Sequence, residues 1–214
     1  MTVPPPAPGL SARLQVDDRR CLVVGGGPVA ARRARRLLDA RAAVTVVAPE
    51  LGEAIRELPV DLVERPYRAS DLDDVVLVVT ATGNDPVDRQ VVDDAMAAGI
   101  LVNDATDPSR GTVVFPAEAV VGPVTVSVDT GGRSPAFAVW LRRRIEADLG
   151  DGIDEVVALL ASARDELRAA GRPTEHPGWA VALDGGLIEL VRDGRSDDAR
   201  RLLHEALGID HPGP

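Results

Sequence analysis

The stretch Cys21-Leu22-Val23-Val24-Gly25-Gly26-Gly27-Pro28-Val29-Ala30 decides the fold. Its four apolar residues read as a buried strand that stops at the glycines. Val29, Ala34, Leu37 and Leu38 then recur at helical spacing across Pro28 to Ala40. Strand, glycine turn and helix in that order fit the G-x-G-x-x-[GA] fingerprint of a dinucleotide site. Gly25 permits the tight turn, Gly27 lets the backbone approach a pyrophosphate, and Ala30 allows close packing of helix on strand. The phosphates would lie on the N–H groups at the positive end of the helix. A glycine triplet alone is weak evidence, since a loop cluster looks the same. What favours the dinucleotide is the strand before it, the helix after it and an acid, Glu50, just past the next strand. An acid there accepts bonds from ribose hydroxyls and repels a 2′-phosphate, so NAD is preferred over NADP.

Outward from this turn the pattern repeats. Val44 to Val47 is a second strand, a short helix follows around Leu51 to Leu58, and Asp61 to Glu64 is a third strand. Val75 to Val79 is a fourth, unalternating and therefore expected to be buried on both faces. Asp85 to Ala98 reads as a helix with Val87, Val91 and Ala95 on one face, and Ile100 to Val102 closes as a fifth strand. Such alternation predicts an α/β, Rossmann-like, doubly wound parallel sheet. Thr80-Ala81-Thr82-Gly83-Asn84 ends the fourth strand at the switch-point crevice, where a nicotinamide is expected. The same residues also suit an ordinary strand-to-helix turn capped by Asn84.

The texture then changes to Thr112 to Ala117, Ala119 to Val121 and Val124 to Val128, strands separated by short turns such as Gly122-Pro123. Ser134-Pro135 reads as an N-cap and first helical residue, opening a helix to Leu149. Further helices are expected over Ile153 to Ala169, Trp179 to Val191 and Asp197 to Leu207. The predicted organisation is a disordered tail at 1–9, a dinucleotide-binding domain at 10–111, a β-and-helix connector at 112–150 and a helical domain at 151–214.

Composition narrows the function. A net charge of −10 over 214 residues opposes nucleic-acid and anionic-membrane surfaces. All 24 basic residues are arginine, which excludes Schiff-base chemistry and a P-loop lysine. Cys21 is the single cysteine and sits in an apolar run, so it reads as a small core residue. With His176, His204 and His211 it offers no metal-ligand spacing, and His176 and His204 read as surface residues. No apolar run approaches the ~20 residues that span a bilayer, and Met1 to Gly9 lacks the features of a secretory signal. The expected location is the cytoplasm.

Val23 to Ala30 with the arginine-rich helix after it, Val44 to Leu51, Val78 to Thr82, Val102-Asn103 and Thr130-Gly131-Gly132-Arg133-Ser134-Pro135 occur in this order. Together they resemble the precorrin-2 dehydrogenase/sirohydrochlorin ferrochelatase family, the NAD-binding module of siroheme synthase. The resemblance covers about residues 10 to 150 by motif and the helical remainder by layout. It implies oxidation of precorrin-2 to sirohydrochlorin with NAD⁺, insertion of ferrous iron in some members, and a homodimer joined through the β-connector and helical domain. The implied cofactor contacts are Gly25, Gly27, Pro28, Val29, Pro49 and Glu50, to which the switch-point reading adds Thr80 and Thr82.

The family commonly carries an Asp three residues after the Asn of the fifth strand. Here that position is Thr106, which is neither a general base at neutral pH nor a carboxylate for a metal. Asp104 and Asp107 flank it, and Asp107 is the nearer candidate for a displaced acid, although before Pro108 it could cap a turn instead. A mechanism with no essential acid is the third option, since hydride transfer depends chiefly on positioning. No metal site is expected.

The implied substrate bears eight carboxylates, which calls for local arginines in an acidic protein. Arg32, Arg33, Arg35 and Arg36 suit either that role or a solvated helix face. Asn103, Thr130, Gly131, Arg133 and Ser134 are the substrate-binding candidates, the last four as a carboxylate cradle at a helix N-terminus. Thr130 fits a simple turn hydroxyl as well. A different class of protein, a non-enzymatic NAD(H)-sensing regulatory module, would share the glycine turn and Glu50 but leave the Gly-Gly-Arg-Ser-Pro turn without a purpose.

Overall fold

The structure, a computed structural model, describes residues 9–209. His211 and all but Gly9 of the expected tail lie outside the described residues. The chain divides into two compact units, one ending at Phe115 and the other beginning at Pro116.

The first unit runs β1 (Arg20–Val24), α1 (Pro28–Asp39), β2 (Ala43–Ala48), α2 (Glu53–Arg56), β3 (Asp61–Glu64), a 3₁₀ turn (Ala69–Leu72), β4 (Leu77–Thr80), α3 (Asp85–Ala97) and β5 (Leu101–Asp104). All five strands are parallel in the order β3-β2-β1-β4-β5. The chain therefore reverses direction across the sheet between β1 and β4, and ligands of such sheets lie beyond the strands' carboxyl ends at that point.

Both faces of the sheet are covered. Cys21, Val23, Val46 and Val79 point to one side, against Ala30, Ala34 and Leu37 of α1 and Ile55 of α2. Leu22, Val24, Val78 and Val102 point to the other, against Val91, Val92 and Ala95 of α3. Two buried faces explain why Cys21 to Val24 and Leu77 to Val79 are apolar without alternation.

β4 starts two residues later than expected. The Val75 N–H closes the preceding turn onto Leu72 O, and the Val76 N–H bonds to Arg20 O before the ladder is regular. The expected strand over Thr112 to Ala117 is also absent. Thr112 and Val113 both donate to Val102 O, and the Thr112 hydroxyl accepts the Val102 N–H. A side chain thus replaces the backbone carbonyl that a ladder would need.

The second unit opens with an antiparallel hairpin, β6 (Ala117–Val121) and β7 (Val124–Val128), joined through Gly122 and Pro123. α4 (Pro135–Leu149) packs on it. α5 (Ile153–Ala169), α6 (Gly178–Asp184), α7 (Leu187–Arg192) and α8 (Ser196–Leu207) share a separate core built on Leu159, Leu167, Leu187 and Leu203. The helix expected over Trp179 to Val191 is two helices, because Gly186 adopts φ +95° between them. Two arginines close helix ends across long sequence separations. Arg172 donates to Leu207 O and Gly208 O, and Arg192 donates to Asp148 O and Leu149 O. His204 is not a surface residue: it is 5% exposed on the core side of α8, with Nε2 3.3 Å from Glu166 Oε2. No helix among the described residues is long and apolar enough to cross a membrane.

Candidate functional site

The glycine turn leaves β1 at Gly25, whose φ of +139° suits no other residue. A Cβ there would stand 2.4 Å from Ala81 O, so β4 presses directly on the turn. Gly26 is as confined, because its missing Cβ would lie 1.8 Å from Glu50 O. Sequence reading assigned Gly26 no role, and its neighbour becomes evident only in three dimensions. Gly27 differs from both: nothing lies within 4 Å of where its Cβ would be.

Gly27 is the N-cap of α1, no side chain caps that end, and Pro28 occupies the first turn. Pro28 and Val29 are exposed beside it. The N–H groups of a first helical turn lack partners within the helix and carry the positive end of its dipole. A bare turn with an open space over Gly27 therefore fits a diphosphate. Pro49 and Glu50 are exposed at the end of β2, and the Gly52 N–H bonds to Gly26 O at 2.9 Å, tying that end to the turn.

At the end of β4 the two threonines converge on one carboxylate. Thr80 is fully buried and its hydroxyl donates to Asp88 Oδ1. The Thr82 hydroxyl donates to the same oxygen at 2.7 Å, and the Thr82 N–H reaches it at 3.2 Å. The Thr106 hydroxyl lies 3.3 Å from Asp88 Oδ2. Asp88, in the first turn of α3, is itself 0% exposed. It was absent from the sequence-based candidates, yet it joins three that were present.

The loop after β5 holds the remaining acids. Asp104 is buried; its Oδ1 accepts the Thr106 and Asp107 N–H groups at 2.8 and 2.9 Å, and its Oδ2 lies 2.7 Å from Arg110 Nη2. Asp107 Oδ1 accepts the Ser109 hydroxyl at 2.5 Å and the Ser109 N–H at 3.1 Å. These bonds, with Arg110 nearby, hold the Asp107 carboxyl below the usual carboxylate range. Both acids thus shape the loop, while Thr106 stands exposed between them. Asn103 is buried on β5, donates to Val113 O at 2.9 Å, and leaves Oδ1 without a hydrogen-bond partner.

In the second unit Thr130, Gly131, Arg133 and Ser134 form one turn. Thr130 Oγ1 accepts the Ser134 N–H at 3.1 Å, Asp129 accepts the Gly131 N–H at 2.9 Å, and Ser134 Oγ caps α4 through the Phe137 N–H at 3.3 Å. Arg133 projects from this turn into solvent. On α1, Arg33 and Arg36 lean over the Phe115 ring at 5.2 and 4.9 Å, an arrangement between the substrate-binding and solvated alternatives. Among the described residues no group of three or more His, Cys, Asp or Glu is placed to hold a metal ion.

Residues 12–117 match the family model described as "Putative NAD(P)-binding". The chain is 38% identical over 200 residues to a siroheme synthase of Methylococcus capsulatus and 40% identical over 206 residues to one of Tolumonas auensis. These matches take in 90% and 94% of this chain but only 42% and 44% of those proteins. The chain thus spans less than half the length of the curated relatives it matches. Among solved structures, that of the precorrin-2 dehydrogenase SirC superposes with a TM-score of 0.67 at 24% identity, covering 92% of this chain and 98% of that one. This similarity establishes the shared fold.

Proposed function

The chain belongs to the precorrin-2 dehydrogenase/sirohydrochlorin ferrochelatase family, and we propose that it oxidises precorrin-2 to sirohydrochlorin with NAD⁺ as acceptor. The observation that carries the reading is the bare first turn of α1 behind Gly25, Gly26 and Gly27, with Glu50 at the end of the adjacent strand. Bound NAD⁺ supplies a ring that takes up a hydride.

The chain's own residues do the rest. The N–H groups around Gly27, Pro28 and Val29 hold the diphosphate, less the one that proline lacks. Pro49 flanks the adenosine, and the Glu50 carboxylate accepts the ribose hydroxyls and disfavours a 2′-phosphate. Thr82 borders the crevice, and Asn103 lies buried on β5 with its Oδ1 unpartnered. Thr80 acts from behind, since its hydroxyl is committed to Asp88. Arg133, with the backbone of Thr130, Gly131 and Ser134, is proposed to bind substrate carboxylates. The protein is further proposed to be a cytoplasmic homodimer that uses its 112–150 segment in the dimer contact.

Ferrous iron would be a second substrate. Its insertion would release two protons from sirohydrochlorin, and Thr106 offers a hydroxyl where that chemistry calls for a carboxylate. Sirohydrochlorin is expected to persist.

The test is an anaerobic spectral assay with purified protein, fresh precorrin-2 and NAD⁺, followed by ferrous iron. Sirohydrochlorin formed only with NAD⁺ supports the reading. Precorrin-2 left unchanged while NAD⁺ binds favours a regulatory nucleotide sensor instead.

A further inference from the structure

Asp88 is a fully buried carboxylate whose four hydrogen-bond donors are all neutral: the hydroxyls of Thr80, Thr82 and Thr106 and the Thr82 N–H. Two other buried acids of the same unit are treated differently. Asp71 is gripped by the Arg65 guanidinium and Asp104 by Arg110. A buried anion held by neutral donors alone is a costly way to pin a loop. Hydroxyls differ from guanidinium in one respect that matters here. They both donate and accept, and so they can pass a proton on.

The two oxygens of Asp88 are not equivalent. Oδ1 takes three donors, from Thr80 and Thr82, and is saturated. Oδ2 takes the Thr106 hydroxyl, at 3.3 Å. Thr106 is exposed and Asp88 is not, so the pair reaches from the protein surface inward. It does so at the carboxyl end of β4 and β5, the edge of the sheet that also presents the glycine turn.

We propose that Asp88 is the positioning and proton-storing residue of the dehydrogenation and that Thr106 is the group through which it acts. The inference rests on the precorrin-2 reading above. Removing two hydrogens from precorrin-2 means losing one hydride and one proton. The hydride leaves for NAD⁺, giving NADH, and the electron pair of the bond to the departing proton forms the new double bond. Thr106 Oγ1 accepts that proton as its own hydrogen passes to Asp88 Oδ2. Asp88 becomes a neutral carboxylic acid, and the proton later returns through Thr106 to water. A threonine hydroxyl alone is too weakly basic for this, whereas one hydrogen-bonded to a carboxylate is activated by it.

The test uses the purified chain and three variants. Asp88→Asn keeps the shape and an acceptor oxygen, and its kcat is expected to fall about 100-fold with the Kd for NAD⁺ and the melting temperature retained. Thr106→Val is expected to fall similarly and also to move the ¹³C resonance of the Asp88 side-chain carboxyl. The double variant Asp88→Asn/Thr106→Asp places the carboxylate where the hydroxyl was, and is expected to recover at least tenfold over Asp88→Asn. A merely structural role for Asp88 gives no such recovery. The proposal is overturned if Asp88→Asn turns over within threefold of wild type, or if the folded double variant is no faster than the single one. Wild-type protein that fails to oxidise precorrin-2 removes the proposed function itself. The carboxyl resonance still decides, in that case, whether Asp88 and Thr106 are coupled.

Discussion

Gly26 and Glu50 are in backbone contact, close enough that a Cβ on Gly26 would lie 1.8 Å from the Glu50 carbonyl oxygen. The glycine turn and the end of β2 therefore move as one body. Gly26→Ala forces backbone apart and is expected to cost about 1–3 kcal/mol while weakening NAD⁺ binding at least tenfold. Gly27→Ala meets open space, so its stability should match wild type while its methyl group intrudes on the cofactor. Urea unfolding and calorimetric NAD⁺ titration of the two variants separate these effects. Wild-type affinity in both would remove the turn from the binding site.

Glu50 is expected to set the choice between the two nicotinamide dinucleotides. Glu50→Gln keeps the shape and loses the charge, which should weaken NAD⁺ about tenfold, as expected for hydrogen bonds to a charged acceptor. The same change should narrow the preference over NADP⁺, because the repulsion of a 2′-phosphate goes with the charge. The ratio of the two dissociation constants is the measurement, and an unchanged ratio would place the adenosine ribose elsewhere.

Asp71 links stability to pH. The Arg65 guanidinium bonds both of its oxygens, at 2.9 and 2.5 Å, and the Arg68 N–H adds a third bond. Against the opposing effect of burial, these hold the carboxyl below its usual range. Its stabilisation is present above the ordinary carboxylate pKa and is lost as pH falls through the depressed value. Asp71→Asn should cost about 1–2 kcal/mol at pH 7 and progressively less in acid. Denaturation midpoints of both proteins from pH 7 downward test this, and parallel curves would contradict it.

Cys21 is 0% exposed at the centre of the sheet, and burial pushes its thiol up to about 11 against a smaller opposing effect of Arg19. The reactive thiolate is scarce and shielded at pH 8. A thiol-disulfide reagent should leave the folded protein unmodified over an hour and titrate one thiol per chain in guanidinium. Rapid labelling of the native state would show that β1 opens locally.

The inner strands of the first unit were legible because burial on both faces leaves an unbroken run of β-branched residues and leucine in the sequence, as in Val44 to Val47 and Leu77 to Val79. Val113, Val114 and Phe115 carry a similar run without forming a ladder. Val113 and Phe115 are apolar because they pack against the core while Val114 faces solvent, and it was the Thr112 hydroxyl that took the backbone position. The helix break at Gly185 and Gly186 was visible as a glycine pair, but regular apolar spacing from Trp179 to Val191 masked it. Asp88 illustrates what one face of a helix hides. Val91, Val92 and Ala95 follow it at intervals of three, four and seven, so an acid on the buried stripe was there to be found. His204 lies on the buried stripe of α8 beside Leu203 in the same way. The donors that make Asp88 a candidate come from β4 and from the loop after β5, and no local pattern joins them.

The strand order has a consequence for the protein's synthesis. β1 is made first but is the middle strand of five, and its second neighbour, β4, ends only at Thr80. At about 5–20 residues per second, that edge of β1 stays open on the ribosome for some 3–11 seconds after Val24 is added. During that interval the apolar run Cys21 to Val24 is an unpaired edge available to other chains. Slower translation between Val24 and Thr80 should therefore lower the soluble yield more than the same slowing placed after Asp104.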